Sequence, residues 1–491
     1  MIESRKIETL INRKLWLLFI VSIVVFLLPL LILPFLNFPS TDDFYIPDLM
    51  RSMGFWEVQE YVYNNWGARF TFNFLSAFGN FNNFVLENYY LHSLLLILGQ
   101  LLASVFFVHN LLKYLLNISI SASQLWFLGL VFFMVQLVSL PEVSTWYFWF
   151  SSAITYSLPT TLVFFQLGLL FRYFRKKEFW SIVVISILIF ISIGSNEVFV
   201  VIQGIIFFVL AILTFRKKES FGLILPFVLV LGLSAGLYFL SSGNQYRFGI
   251  IPSKNPMFYV LSIAVQFPII FWSIFKNPLF WFFGFTVFMV LKPYQESIMS
   301  RFGNNLKYIL FAFFAFLILT ILIPVIGLKG SMLPLRLVNV LVMFSLLFSL
   351  MVFVLFLLKY SKAAEPVFFP TISKYFVAFF ILILFANHFT ADSYQSLISA
   401  YYRSKIPTEQ FEAMKRAGEG KGVLIVKNYH CELKEITENK NVTLSKIIEN
   451  KPKFLMDLNY FENEGTKEFF KNYYQIEKII IEDCDDIVSK D

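Results

Sequence analysis

The chain is expected to fold as a polytopic α-helical membrane protein of about eleven transmembrane helices, with a small α/β domain at its C-terminal end. Three observations lead there. Of 491 residues, 58% are hydrophobic, 19% aromatic and only 15% charged, which excludes a soluble multidomain enzyme. Apolar runs of spanning length recur from Leu15 to Ala386. The composition then changes: residues 392–491 carry 15 Lys/Arg and 18 Asp/Glu, against 25 and 14 in residues 1–391. A basic balance confined to the membrane part reflects cytoplasmic loops, so it argues for a lipid bilayer and not for nucleic acid.

Taken in order, Arg5, Lys6, Arg13 and Lys14 precede a first span, Leu15 to about Leu36, and by the positive-inside rule they keep the N-terminus cytoplasmic. The run is too long for a signal peptide and lacks a small-residue cleavage site, so it reads as a retained span. A long outer loop, 37–89, follows, with an aromatic stretch from Met53 to Trp66 suited to the membrane interface. Spans at Tyr90–Leu112 and Leu125–Leu140 lead to the aromatic outer loop Glu142–Tyr156. A fourth span ends in the cytoplasmic cluster Arg172, Arg175, Lys176 and Lys177. A second such cluster, Arg216-Lys217-Lys218, requires two crossings in between, a hairpin with its outer apex at Gly194-Ser195-Asn196-Glu197. A seventh span, Phe221–Leu240, runs out to the loop Ser241–Arg247. Met257–Leu291 is read as one crossing, because two would turn six loop bases outward. The last span, Tyr375–Phe389, then puts the tail outside. In the tail, 422–427 and 476–482 read as strands, and 407–417, 444–449 and 464–474 as helices. Its Cys431 and Cys484 are the only cysteines, able to pair in an oxidising compartment but not spaced for a metal.

Once sides are assigned, the polar residues that are hardest to explain by packing fall almost all outside: Asp42, Asp43, Arg69, Glu142, Asn196, Glu197, Asn244, Arg247 and Arg336. Placing such acids in hydrocarbon would cost about 2.5 to 3.5 kcal/mol each. Asp42 and Asp43 are adjacent, so their side chains diverge and only one faces a given reacting atom. Asp43, further from the span, is preferred as a base. The other acid is left to bind a hydroxyl, an arginine or a divalent metal, and the residues name no cofactor beyond that metal. Asn196 also suits a cap on the helix that follows it. Arg247 and Arg336 suit an anionic headgroup such as a lipid phosphate. His92, His109, Gln136, Asn339 and His388 have no ligand-like spacing and read as packing or interface residues. No P-loop, GxSxG or HExxH motif is present.

The order of Asp42-Asp43-Phe44, Trp66-Gly67-Ala68-Arg69, the aromatic stretch Trp146–Tyr156, Asn196-Glu197 and Ser242-Gly243-Asn244-Gln245-Tyr246-Arg247 resembles a bacterial branch of the GT-C superfamily of integral-membrane glycosyltransferases. The Asp pair is also similar to that of glucosyltransferases that modify surface polysaccharides. Two departures stand out: Gly67-Ala68-Arg69 replaces a G-R dipeptide, and Ser242 replaces a proline. The resemblance implies a bacterial plasma-membrane enzyme with a GT-C-like fold and a polyprenyl-phosphate sugar donor. It further implies a cell-envelope glycan acceptor and transfer with inversion. Asp42 or Asp43 would act as base, with Arg69, Glu142, Trp146, Tyr156, Asn196, Glu197, Asn244, Arg247 and Arg336 around the substrates. The rival readings are a transporter of lipid-linked saccharides and an O-antigen polymerase or ligase.

Overall fold

A computed structural model describes residues 2–216, 221–303, 306–361, 369–420, 422–438, 440–449, 453–455 and 464–482. Among them, seven helices are long and apolar enough to cross a membrane: Leu17–Leu36, Tyr90–Leu116, Ala122–Ser139, Phe150–Lys176, Pro256–Phe275, Leu306–Gly327 and Leu335–Tyr360. Two further candidates are bent pairs, Leu225–Phe239 with Ser242–Ile250 (58°) and Val377–Phe385 with His388–Arg403 (51°). Counting each pair as one span gives nine, and the shorter apolar helices Phe179–Ser195 and Glu197–Ile212 come in addition. The chain is thus a polytopic helical membrane protein. Its helices are apolar nearly all round, as lipid-facing helices are.

The bundle has two unlike ends. At one, basic and amide side chains meet helix termini: Arg172 pairs with Glu178 at 2.9 Å, Arg301 donates to the Leu115 carbonyl at 3.4 Å, and Gln295 donates to the Leu358 carbonyl at 2.6 Å. At the other, the long connections gather. The helix Leu335–Tyr360 runs between these ends and fixes the path of residues 256–291. Near its start this stretch lies beside the turn preceding Leu335, where Ser262 Oγ donates to the Gly330 carbonyl at 3.0 Å. Beyond its end, Lys292 Nζ donates to Ser361 Oγ at 2.7 Å. The stretch therefore runs the length of the bundle once, in two helices, Pro256–Phe275 and Pro278–Leu291. At the break, Asn277 Nδ2 donates to the carbonyls of Val138 (2.7 Å) and Ser273 (2.8 Å), which gives freed backbone acceptors the partner that lipid cannot supply.

Several connections that read as loops are helical. The stretch 37–89 forms short helices, among them Tyr45–Ser52, Phe55–Asn65 and Phe70–Gly79. Ser242–Ile250 is a helix in place of a loop, and a helix, His388–Arg403, follows the last apolar run. In the tail, strands β1 (Val423–Lys427) and β2 (Lys478–Glu482) pair in parallel, Val423 opposite Lys478. A parallel pair needs a long crossover, and the helices Tyr429–Glu438, Val442–Glu449 and Glu464–Tyr474 lie along it. Cys431 is buried, and Cys484, its expected partner, lies outside the described residues.

Candidate functional site

The Asp pair sits on a tight four-residue turn, Thr41–Phe44, at the loop-rich end. The turn closes through Asp43 N–H donating to the Ser40 carbonyl (2.9 Å) and Ser40 N–H donating to Asp43 Oδ2 (2.9 Å). Asp43 is buried and Asp42 is exposed. The Asp43 carboxylate also accepts from Tyr89 OH at 2.5 Å, and from the Ser151 backbone N–H at 2.9 Å and its hydroxyl at 2.6 Å. Burial pushes the Asp43 carboxyl above the usual carboxylate range, opposed by these donors. The sequence favours Asp43 as the reacting acid, but here it anchors the turn, and Asp42 is the one facing outward.

Ser151 belongs to a segment, 144–157, that is wholly buried although it reads as an exposed aromatic loop. It contains two wide π-helical turns, Ser144–Phe148 and Ala153–Ser157, around Phe150–Ser152. Such turns break the regular helical period and recur at functional sites. The first turn drives Trp146 and Tyr147 into the core, where the indole N–H (3.0 Å) and the phenol OH (2.6 Å) both donate to Gln100 Oε1. Trp146 is therefore held among the helices, away from the other candidates. Trp149, three residues on, faces the site instead. Its ring centroid lies 5.0 Å from the Arg336 guanidinium carbon, and the Tyr156 ring lies 6.0 Å from that carbon. Glu142 serves the local fold. It accepts from Thr145 Oγ1 at 2.7 Å, and its backbone is clasped by Asn339, with Nδ2 donating to the Glu142 carbonyl at 2.6 Å.

Arg69 and Glu197, 128 residues apart in sequence, form an ion pair at 3.4 Å, and Tyr238 OH donates to Glu197 Oε2 at 2.6 Å. Asn196 Oδ1 accepts from Val198 N–H at 3.0 Å and caps the helix there. Asn244 Oδ1 accepts from Ala68 N–H at 3.2 Å, which ties Ser242–Ile250 to the turn before Arg69. Gly243 permits that approach: a Cβ on it would lie 2.6 Å from the Tyr63 carbonyl oxygen and 2.8 Å from Gly67 N. Arg247 lies within electrostatic reach of Arg69, Glu197 and Tyr156.

Asp42, Asp43, Arg69, Tyr156, Asn196, Glu197, Asn244, Arg247 and Arg336 thus share one end of the bundle. Arg69 and Arg247 face the Glu197 carboxylate, and both, like Arg336, lie near Tyr156. Four buried nitrogen donors at this end, Arg69 Nε, Asn196 Nδ2, Trp149 Nε1 and Arg336 Nε, have no hydrogen-bond acceptor among the described residues. Unpartnered buried donors are costly, and an anionic ligand would supply the missing acceptors. Among the described residues no three His, Cys, Asp or Glu side chains converge as a metal site. Ser151, Tyr89, Trp149 and Tyr238 are parts of the arrangement that sequence reasoning missed. Only the aromatic richness around Trp149 gave any signal.

Compared with known proteins, the chain matches no family model, no curated protein and no solved structure.

Proposed function

We propose that the chain is a membrane glycosyltransferase of GT-C type, moving a sugar from a polyprenyl-phosphate donor to an envelope acceptor at the loop-rich end of the bundle. The observation that carries this reading is the placing of an exposed acid and a donor-rich cationic cluster on one buried segment, 144–157, which holds Asp43 through Ser151 and faces Arg336 through Trp149. In the reaction, Asp42 takes the proton of the acceptor hydroxyl as its oxygen bonds to the anomeric carbon from the face opposite the leaving group. The bond from that carbon to the phosphate oxygen breaks, and the electron pair leaves with the lipid phosphate, inverting the centre. Arg336 and Arg247, with the Trp149 indole N–H, stabilise the charge that grows on the phosphate. Asp43 holds the turn in place. Eleven spans, a cytoplasmic N-terminus and an extracytoplasmic tail in a bacterial plasma membrane complete the proposal.

A transporter of lipid-linked saccharides would need charged groups along a central path. Among the described residues, the enclosed charged groups are Asp43, Arg403 and the Arg69–Glu197 pair, and Asp43 and the pair stand together at the loop-rich end and not along a central path, which supports the enzyme over the transporter. The test is transfer from a labelled polyprenyl-phosphate sugar in membranes holding the parent chain, Asp42→Asn, Asp43→Asn or Glu197→Gln. Transfer by the parent and its loss in Asp42→Asn is the expected result. Full activity in both Asp variants at normal protein levels would sink the base assignment. Protease attack on the tail in intact cells is expected; a protected tail would overturn the eleven-span arrangement.

A further inference from the structure

Phe44 directly follows the Asp pair, and its ring is completely buried. The buried apolar side chains grouped with it are Leu86 and six residues of the tail, including Met414, Phe470 and Tyr473. Its ring centroid lies 5.0 Å from that of Tyr473 and 5.2 Å from that of Phe470, both edge-on, with Phe411 at 6.3 Å and Tyr474 at 6.4 Å. Edge-to-face rings at such separations attract beyond their area of contact. The same tail helix is gripped twice more by the segment after the turn. The Arg51 guanidinium carbon stands 3.7 Å from the Tyr473 ring centroid, and Tyr473 OH donates to Asn83 Oδ1 at 3.4 Å.

The turn Thr41–Phe44 is therefore pinned twice, at the two residues that directly follow its exposed acid. Asp43 fixes it to Ser151 and Tyr89 in the bundle, and Phe44 fixes it to the tail. One pin alone leaves a short turn free to pivot, whereas two adjacent pins in different parts of the protein fix its orientation and with it the direction of the neighbouring Asp42 side chain. We propose that the C-terminal unit is an integral part of the site: it seats Phe44 and so aims the Asp42 carboxylate, without itself touching the reacting atoms. Phe44 is a positioning residue, and Phe470 and Tyr473 are its seat. The catalytic consequence rests on the glycosyltransferase reading; the seating of the turn does not.

The test uses the full chain in lipid nanodiscs, with Phe44→Ala on one side of the contact, Phe470→Ala on the other, and Phe44→Leu as the conservative replacement. Full burial of a phenylalanine is worth roughly 10- to 100-fold in the ratio of docked to undocked states. Hydrogen exchange of amides 42–52 is therefore expected to quicken by about 10-fold or more in both alanine variants. Helices Tyr90–Asn110 and Leu335–Tyr360 are expected to exchange as in the parent. In sugar transfer, both alanine variants lower kcat with the KM for the lipid donor nearly unchanged, and Phe44→Leu recovers most of the loss. Unchanged exchange at 42–52 in both alanine variants overturns the proposal, and so does faster exchange with full kcat. Should the parent chain transfer no sugar, the glycosyltransferase reading falls, while the exchange rates still decide whether the tail seats the turn.

Discussion

Asp43 and Arg336 stand at the same end of the bundle, and both are served by segment 144–157, yet their surroundings are built in opposite ways. Asp43 is enclosed by four donors that use both of its oxygens. Arg336 faces two aromatic rings, and among the described residues its buried Nε has no acceptor, nor has the indole N–H of the nearby Trp149. A polar group whose bonds are all made inside the protein stabilises the fold, and its loss strands its partners. A donor left open costs the empty protein free energy that a bound acceptor returns. The first arrangement is that of an anchor, and the second is the one the proposed function uses to hold the donor phosphate.

The sharpest way to break this contrast is to exchange the two acids for amides. Asp42→Asn removes the outward carboxylate and no bond that holds the turn. Transfer is expected to fall by about 10²- to 10⁴-fold, the range for loss of a general base, with the melting temperature unchanged. Asp43→Asn does the reverse. Each Asp43 oxygen accepts a backbone N–H, from Ser40 or from Ser151, and neither N–H can turn round to accept. Whichever way the new amide lies, one of the two loses its acceptor, at a cost of about 1 to 3 kcal/mol in thermal or denaturant unfolding. If Asp42→Asn unfolds the protein and Asp43→Asn leaves it stable and inactive, the roles are reversed.

How far the sequence discloses this division can be traced residue by residue. The spans are legible because twenty apolar residues in a row have few alternatives. So is the gathering of polar residues at one end, because the basic loops at the other end orient each helix. Adjacency says that Asp42 and Asp43 diverge, but which one turns inward depends on Tyr89 and Ser151, ordinary residues 46 and 108 positions away. Arg69 and Glu197 are each visible as misplaced charges, while their pairing is a fact of helix packing. Trp146 and Trp149 look alike in the sequence. The π-helical turns between and after them break the period from which facing is inferred, so one enters the core and the other reaches the site. That a donor lacks an acceptor is a property of three dimensions alone.

The open side of the contrast is tested by Arg336→Met, which keeps an apolar stem over Trp149 and Tyr156 but removes the charge and its donors. No bond inside the protein depends on the guanidinium Nε, so stability is expected to stay within about 0.5 kcal/mol of the parent. Transfer from the lipid donor is expected to fall about 10- to 100-fold in kcat/KM, the worth of a charged hydrogen bond to a phosphate. A large loss of stability would place Arg336 with Asp43 as an anchor.

The smallest and most discriminating change is Trp149→Phe. It keeps an aromatic face beneath Arg336 and deletes one buried N–H that bonds to nothing among the described residues. If that N–H serves only packing, its removal relieves an unsatisfied donor, and nothing else changes. If it waits for an acceptor on the ligand, kcat/KM for the lipid donor falls about 3- to 10-fold, the worth of a neutral hydrogen bond, while the melting temperature holds or rises slightly. Trp146→Phe supplies the matched control: its N–H already donates to Gln100. That variant is therefore expected to lose stability by about 1 kcal/mol while retaining its affinity for donor. The two indoles, three residues apart, would then fail in opposite ways, as a satisfied and an open donor must.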